Sequence, residues 1–183
     1  MQGSNWYAYI YPKNIEVMKA PKILVPDIAA HASFALDEAG QYALTSGYGI
    51  TLRPDVPDSN KYVLGLLNSE LLDFYLKSIS TTLRGGFFRY FTQYMEQLPI
   101  RTINFSDPAD KARHDKMVAL VERMLELNKE NRVAPPSRRQ GRQDAGATTE
   151  LEREIASTDA EIDDLVYELY GITDEERKII EGT

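Results

Sequence analysis

The chain has 183 residues, enough to bury a core in one or two small domains, and its 43% hydrophobic and 27% charged residues are ordinary for a folded protein. Its net charge of −7 is unevenly spread: residues 1–104 hold 9 basic and 9 acidic side chains, residues 105–183 hold 12 and 19. No apolar run approaches the roughly 20 residues of a membrane-spanning helix, and the absence of cysteine excludes disulfides and thiolate metal sites and suits a reducing cytoplasm.

The chain opens with Met1-Gln2-Gly3-Ser4 and runs almost at once into the alternating aromatics Trp6–Tyr11, a start that points to a piece of a longer protein. Short aromatic and aliphatic runs predict strands at Trp6–Tyr11, Lys22–Pro26, Ala32–Asp37, Tyr42–Thr45 and Tyr48–Leu52. Pro12, Pro21, Asp37–Gly40, Ser46-Gly47 and Pro54–Pro57 punctuate them, with Asp37–Gly40 as a hairpin turn. Asp58 or Ser59 then caps a single helix of about 18 residues over Lys61–Ile79. Leu64, Leu67, Leu71, Phe74 and Tyr75 form its buried stripe, and Glu70, Asp73 and Lys77 its wet one.

The next stretch, Ser78–Tyr94, has a different character. Between Phe74 and Tyr94 the charged residues are Lys77, Arg84 and Arg89, with no acid, and Gly85-Gly86 divides a hydroxyl-rich segment from one rich in aromatics. One reading is a tight, mobile connection whose aromatics fill the core. The other is a nucleic-acid contact, because arginine reads guanine in the major groove and Ser, Thr and glycine amides grip phosphates. Composition does not separate the two.

Leu98-Pro99-Ile100 is expected to form a last strand. Asp107-Pro108 opens a helix to about Asn131, with Met117, Leu120, Val121, Met124 and Leu127 on one face. Arg132–Ala147 has almost no apolar content and reads as a mobile linker. From about Thr148, Leu151, Ile155, Thr158, Ile162, Leu165, Leu169 and Ile172 step by 4 and 3, a heptad seam that needs a facing partner. The preceding helix, antiparallel, is the nearest one. Gly171 ends this helix, and Thr173-Asp174-Glu175-Glu176 caps a short terminal one.

Signatures of catalysis are scarce. His114, in a charged helix start, reads as solvent-facing, and His31 as a strand-edge residue. Neither has a second ligand at metal spacing, and no glycine-rich phosphate loop follows a strand. Pro54-Asp55 with Asp58 and Lys61 has the wrong spacing for a metal-dependent nuclease. Glu152 and Glu154 are a solvated face.

The segment VLGLLNSELLDFYLKSISTTLRGGFFRYFTQYMEQLPI resembles the TaqI-like C-terminal specificity domain of restriction-modification enzymes and adenine-specific DNA methyltransferases. The resemblance extends to Trp6…Tyr11-Pro12-Lys13, Pro21–Ile28, Ser46–Ile50 and the terminal LVYELYGITDEERKIIEG, leaving out Arg132–Ala147. It implies sequence-specific reading of double-stranded DNA on behalf of a catalytic domain upstream. The methyltransferase signature Asn-Pro-Pro-Tyr and its glycine-rich cofactor motif are absent from this chain. S-adenosylmethionine is therefore expected in the upstream domain, with no catalytic residue, cofactor or metal site here.

The expected fold is α+β: a mixed, mostly antiparallel sheet packed on a helix (residues 1–104), then a long antiparallel helical hairpin (105–183, with helices over 105–131 and 148–183 and the linker at 132–147). The expected function is target recognition by a cytoplasmic DNA methyltransferase or restriction enzyme, its partners being double-stranded DNA and the upstream methyltransferase domain. The two helices also resemble the spacer helices of type I specificity subunits, which dock on methyltransferase partners. The alternative is a helical docking or dimerisation module whose β-rich part is structural. Arg84 and Arg89 are the candidate base readers, with Thr81 and Thr82 gripping the backbone and Ser46 and Tyr48 as further candidates. Phe87, Phe88 and Phe91 are expected to anchor this loop in the core.

Overall fold

The computed structural model describes residues 15–44, 47–133 and 150–182. The strand expected at Trp6–Tyr11 and nearly all of the linker expected at Arg132–Ala147 lie outside them.

The fold is α+β, with two small antiparallel sheets where a single one was expected. After one helical turn, α1 (Ile15–Met18), strand β1 (Lys22–Val25) forms the centre of the first sheet, between β3 (Ala35–Asp37) and β4 (Tyr48–Ile50). Ile23 and Val25 enter the core, while Lys22 lies buried opposite Asp37, its ammonium 2.5 Å from the carboxylate. Burial alone would raise the pKa of Asp37. The Lys22 ammonium and the amides of Tyr42 and Gln41 more than offset it and hold the carboxyl at about 2. Those two amide bonds close the expected Asp37–Gly40 turn. They also occupy the amides that a strand over 42–44 would need, and the chain there leaves the sheet, so β3 pairs with β1.

The expected single helix is two, α2 (Asn60–Asn68) and α3 (Glu70–Ile79), and the cause lies in two short polar side chains that compete with the helical ladder. Asn68 bonds both backbone groups of Phe34, at 2.9 and 3.1 Å. Ser69 takes extended backbone angles, donates to the Leu66 carbonyl and accepts from Leu72 N, capping α3 while Ser59 caps α2. The break resets the helical phase. Leu72 and Leu76 turn inward, whereas Phe74 and Tyr75, expected in the core, are 41% and 37% exposed. Asp73, expected in water, is largely buried and accepts from Ala32 N and the Tyr90 hydroxyl while pairing with Lys77.

Helix α5 (Pro108–Val133) lies on α2, and Gly65 is the reason it can. A β-carbon at Gly65 would stand 2.5 Å from Met117 Sδ and 2.9 Å from Val121 Cγ2. Helix α6 (Glu150–Tyr170) runs antiparallel to α5, as ion pairs Arg113–Glu168 and Arg123–Glu154 at the two ends require. Its seam is filled from within the chain, with Thr158, Ile162, Leu165 and Leu169 buried. One apolar cluster joins Ile23, Leu66, Leu72 and Tyr90 to Met117, Ile162 and Val166, so sheet, paired helices and hairpin share a core. Gly171 ends α6, and α7 (Asp174–Glu181) begins with the expected capping box, Thr173 with Glu176.

Two expectations fail here for local reasons. The segment 98–100 is no strand: the Tyr170 hydroxyl donates to Pro99 O and accepts from Arg101 N, and Tyr62 donates to Arg101 O, so side chains take the groups a sheet would use. His114 is buried, with its ring against Tyr62 and Phe105 and its Nε2 accepting from Ser59 N at 3.3 Å. His31 is exposed and outside any strand, beside Lys77.

Among the described residues, no helix is long and apolar enough to cross a membrane, and no group of three His, Asp or Glu side chains is placed to hold a metal ion.

Candidate nucleic-acid interface

The acid-free stretch folds as a β-hairpin standing on α3. Helix α3 stops at Ser80, whose hydroxyl donates to Arg89 O at 2.6 Å and accepts from Arg89 N at 3.1 Å, clasping one end of the hairpin to the helix. Strand β5 (Thr82–Leu83) then pairs with β6 (Phe87–Arg89), in register Thr82 with Phe88 and Leu83 with Phe87. That leaves Arg84, Gly85 and Gly86 as the tip. Gly85 and Gly86 have φ of +91° and +79°, a region costly for any residue with a β-carbon, so the turn itself demands glycine. Strand β6 also pairs with β2 (Ile28–Ala29), making the second sheet in the order β2-β6-β5.

Strand alternation decides which hairpin residues face the core. Residues opposite one another in an antiparallel pair share a face. Phe88 and Ala29 face inward and pack on the core, and Tyr90, fully buried, anchors the end of the strand. Arg89 lies opposite Ile28, and Phe87 opposite Leu83, all four on the outward face. Phe87 is 44% exposed, which corrects its expected role as a core anchor; Tyr90 takes that role with Phe88. Phe91 is half-buried, and the Arg89 guanidinium lies 4.7 Å from its ring centroid.

Charge sets this hairpin apart. Arg53, Arg101, Arg113, Arg123, Arg153 and Arg177 each pair with a carboxylate. Arg84, exposed at the tip, and Arg89 have no carboxylate partner among the described residues. Both guanidinium groups are thus available to an outside anion or base edge.

The other candidates are placed differently. Thr82, opposite Phe88, lies on the other face from Arg89 and Phe87 but is exposed at the edge of the sheet. Thr81 is exposed too, but its hydroxyl lies 2.6 Å from that of Tyr94, on the short helix α4 (Thr92–Met95). Hydrogen bonds with Thr81 and Gln93 lower the Tyr94 pKa from its ordinary value. Tyr48 is a strut between the two sheets: its hydroxyl donates to the Tyr90 carbonyl, and burial pushes its pKa up to about 12. Its ring lines an open cleft of about 580 Å³ with Asp27, Gly47, Phe91, Thr92, Gln93 and Glu96. Ser46 lies outside the described residues. The sequence reading thus overlooked the outward positions of Ile28, Leu83 and Phe87, although Phe87-Phe88-Arg89 already carries the period of two.

The family model described as the TaqI-like C-terminal specificity domain matches residues 3–100, more than half of the chain. A type II methyltransferase from Xanthomonas vasicola, M.XhoI, is 32% identical over 115 residues, covering 60% of this chain and 19% of that protein. The type II restriction enzyme and methyltransferase RM.Eco57I of Escherichia coli is 27% identical over 117 residues, 61% of this chain and 12% of that protein. The type II methyltransferase M.PaeR7I of Pseudomonas aeruginosa is 27% identical over 124 residues, 66% of this chain and 20% of that protein. The chain therefore spans a fifth or less of the length of the relatives it matches.

Proposed function

The chain belongs to the TaqI-like C-terminal specificity domain family, and from that premise we propose that residues 1–104 read a double-stranded DNA sequence for a methyltransferase domain upstream. The observation that carries this reading is the pair of guanidinium groups, Arg84 and Arg89, that have no carboxylate partner among the described residues, on an exposed hairpin with no acid in it. In water an arginine gains little from a lone surface ion pair. Against DNA it can neutralise a phosphate or bond guanine O6 and N7 bidentately, and an acid nearby would be repelled by the phosphates.

In this account Arg84 and Arg89 read or grip, and Thr82 offers its hydroxyl to the backbone, with Thr81 held ready by Tyr94. Tyr48 supports the surface from behind. The chain itself neither transfers a methyl group nor cuts DNA; S-adenosylmethionine binds upstream, and the whole enzyme works in the cytoplasm. Helices α5 and α6 carry the recognition unit, and the acidic outer face of α6 turns toward protein or solvent. The alternative of a dimerising helical module has less support, because the heptad seam is already filled by α5.

The test is anisotropy of a labelled duplex titrated with the chain at rising salt. Phosphate contacts release counterions, so affinity falls steeply with salt, and each neutralised phosphate adds about 0.9 to the logarithmic slope. Arg84→Ala lowers the slope if Arg84 grips phosphate. Binding that does not respond to salt, or no binding, contradicts the reading.

A further inference from the structure

We infer that the outward face of the β2-β6-β5 sheet reads a thymine methyl group, with Phe87 as the residue that touches it. The inference rests on the DNA-reading proposal and extends it from charge to base identity. Ile28 on β2, Leu83 on β5, and Phe87 and Arg89 on β6 share this face. Phe87 and Ile28 are 44% and 43% exposed, and Leu83 is half-buried. Covering these apolar side chains would remove them from water, which is favourable in proportion to the area covered.

Its surroundings select the partner. The apolar side chains share their face with Arg89, and Arg84 stands at the adjoining tip, neither with a carboxylate partner among the described residues. A cationic rim of that kind favours a polyanion. Of the base edges in the major groove of DNA, thymine alone presents an apolar group, its C5 methyl. Residues Phe87 and Arg89 are two apart on one strand, about 7 Å at roughly 3.4 Å per residue. The rise along DNA is also about 3.4 Å per base on one strand. The geometry therefore sets the thymine within about two or three base steps of the position contacted by Arg89.

The experiment uses the full chain and duplexes selected by it from a random-sequence library. Each thymine of the selected site is replaced singly by deoxyuridine, which removes only the methyl group, and binding is measured by anisotropy. At one position, within about three steps of the base whose identity ceases to matter in Arg89→Ala, binding weakens roughly fourfold, the factor expected for one buried methyl-sized group. In Phe87→Ala the thymine and deoxyuridine duplexes bind alike, while Phe87→Leu keeps part of the difference. Thermal melts confirm that the variants fold, and Leu83→Ala gives an independent, smaller loss of discrimination. A selected site without thymine, deoxyuridine duplexes that all bind like the parent, or undiminished discrimination in Phe87→Ala overturns the inference. If salt-dependent binding persists in those cases, the DNA-reading proposal survives alone; absence of any DNA binding overturns both.

Discussion

The helical half and the β5–β6 hairpin treat polar groups in opposite ways. Around α2, α3, α5 and α6 several buried polar groups meet partners within the chain: Asn68 takes both backbone groups of Phe34, Asp163 accepts from Glu70 N at 2.8 Å, and Arg101 bonds Asp110 and the Leu169 carbonyl. On the β5–β6 hairpin, by contrast, Arg84, Thr82 and Phe87 are exposed, and the guanidinium groups have no carboxylate partner among the described residues. The difference separates residues that hold the fold from residues that the fold merely presents. Substitutions in the first region should change stability, and substitutions in the second should change binding with little change in stability.

The largest effect expected is Ile162→Asp. Ile162 is buried in the α6 seam, and an unpaired carboxylate there costs about 4 kcal/mol. Chemical denaturation should show it; an unchanged midpoint would mean that the α5–α6 pairing is wrong. Next comes Gly65→Leu. Because a β-carbon alone meets Met117 and Val121 at 2.5 and 2.9 Å, a leucine must push α5 off α2, at about 3 kcal/mol. A Gly65→Leu protein as stable as the parent would show that the helices do not approach so closely.

A smaller effect concerns pH. Burial raises the Asp163 pKa to about 7, with Glu70 and Asp159 adding repulsion against the amide bond that opposes the shift. Between pH about 4 and about 7 the folded protein keeps a proton there that the unfolded chain releases, so this group makes stability fall as pH rises through that window. After screening, its worth is on the order of 1 kcal/mol, or roughly 2–4 °C in Tm. Asp163→Asn keeps an acceptor for Glu70 N and should flatten this part of the profile and raise Tm at pH 8. Asp37 has the opposite sign: held at about 2, it contributes stability that is lost as pH falls from about 4 toward 2. A profile unaltered by Asp163→Asn would remove Asp163 as its source.

The same contrast explains what was legible in the sequence. Helices α5 and α6 were, because a seam of seven apolar or small residues at heptad spacing has few other ways to be covered. Caps such as Ser59 and the Thr173–Glu176 box were legible for the same local reason. The break at Ser69 was not: Asn68 and Ser69 fit a helix until Phe34, 34 residues away, supplies Asn68 with partners. The loss of the strand at 98–100 depends on Tyr62 and Tyr170, which only the fold brings to that segment. In the recognition region, residue types pointed to the hairpin, whereas the outward turn of Phe87 depends on the register with Leu83.

The central claim is that Arg84 and Arg89 face DNA and contribute little to the fold. Its most direct test is the equilibrium binding of Arg84→Ala and Arg89→Ala to the selected duplex and to every single-base variant of it, with a thermal melt of each protein. The account predicts an unchanged Tm for Arg84→Ala and a small decrease for Arg89→Ala, which loses its contact with the Phe91 ring. It also predicts, in at least one, a loss of roughly 1–3 kcal/mol of discrimination confined to one base position. Full affinity and discrimination in both variants, with the fold intact, would contradict it.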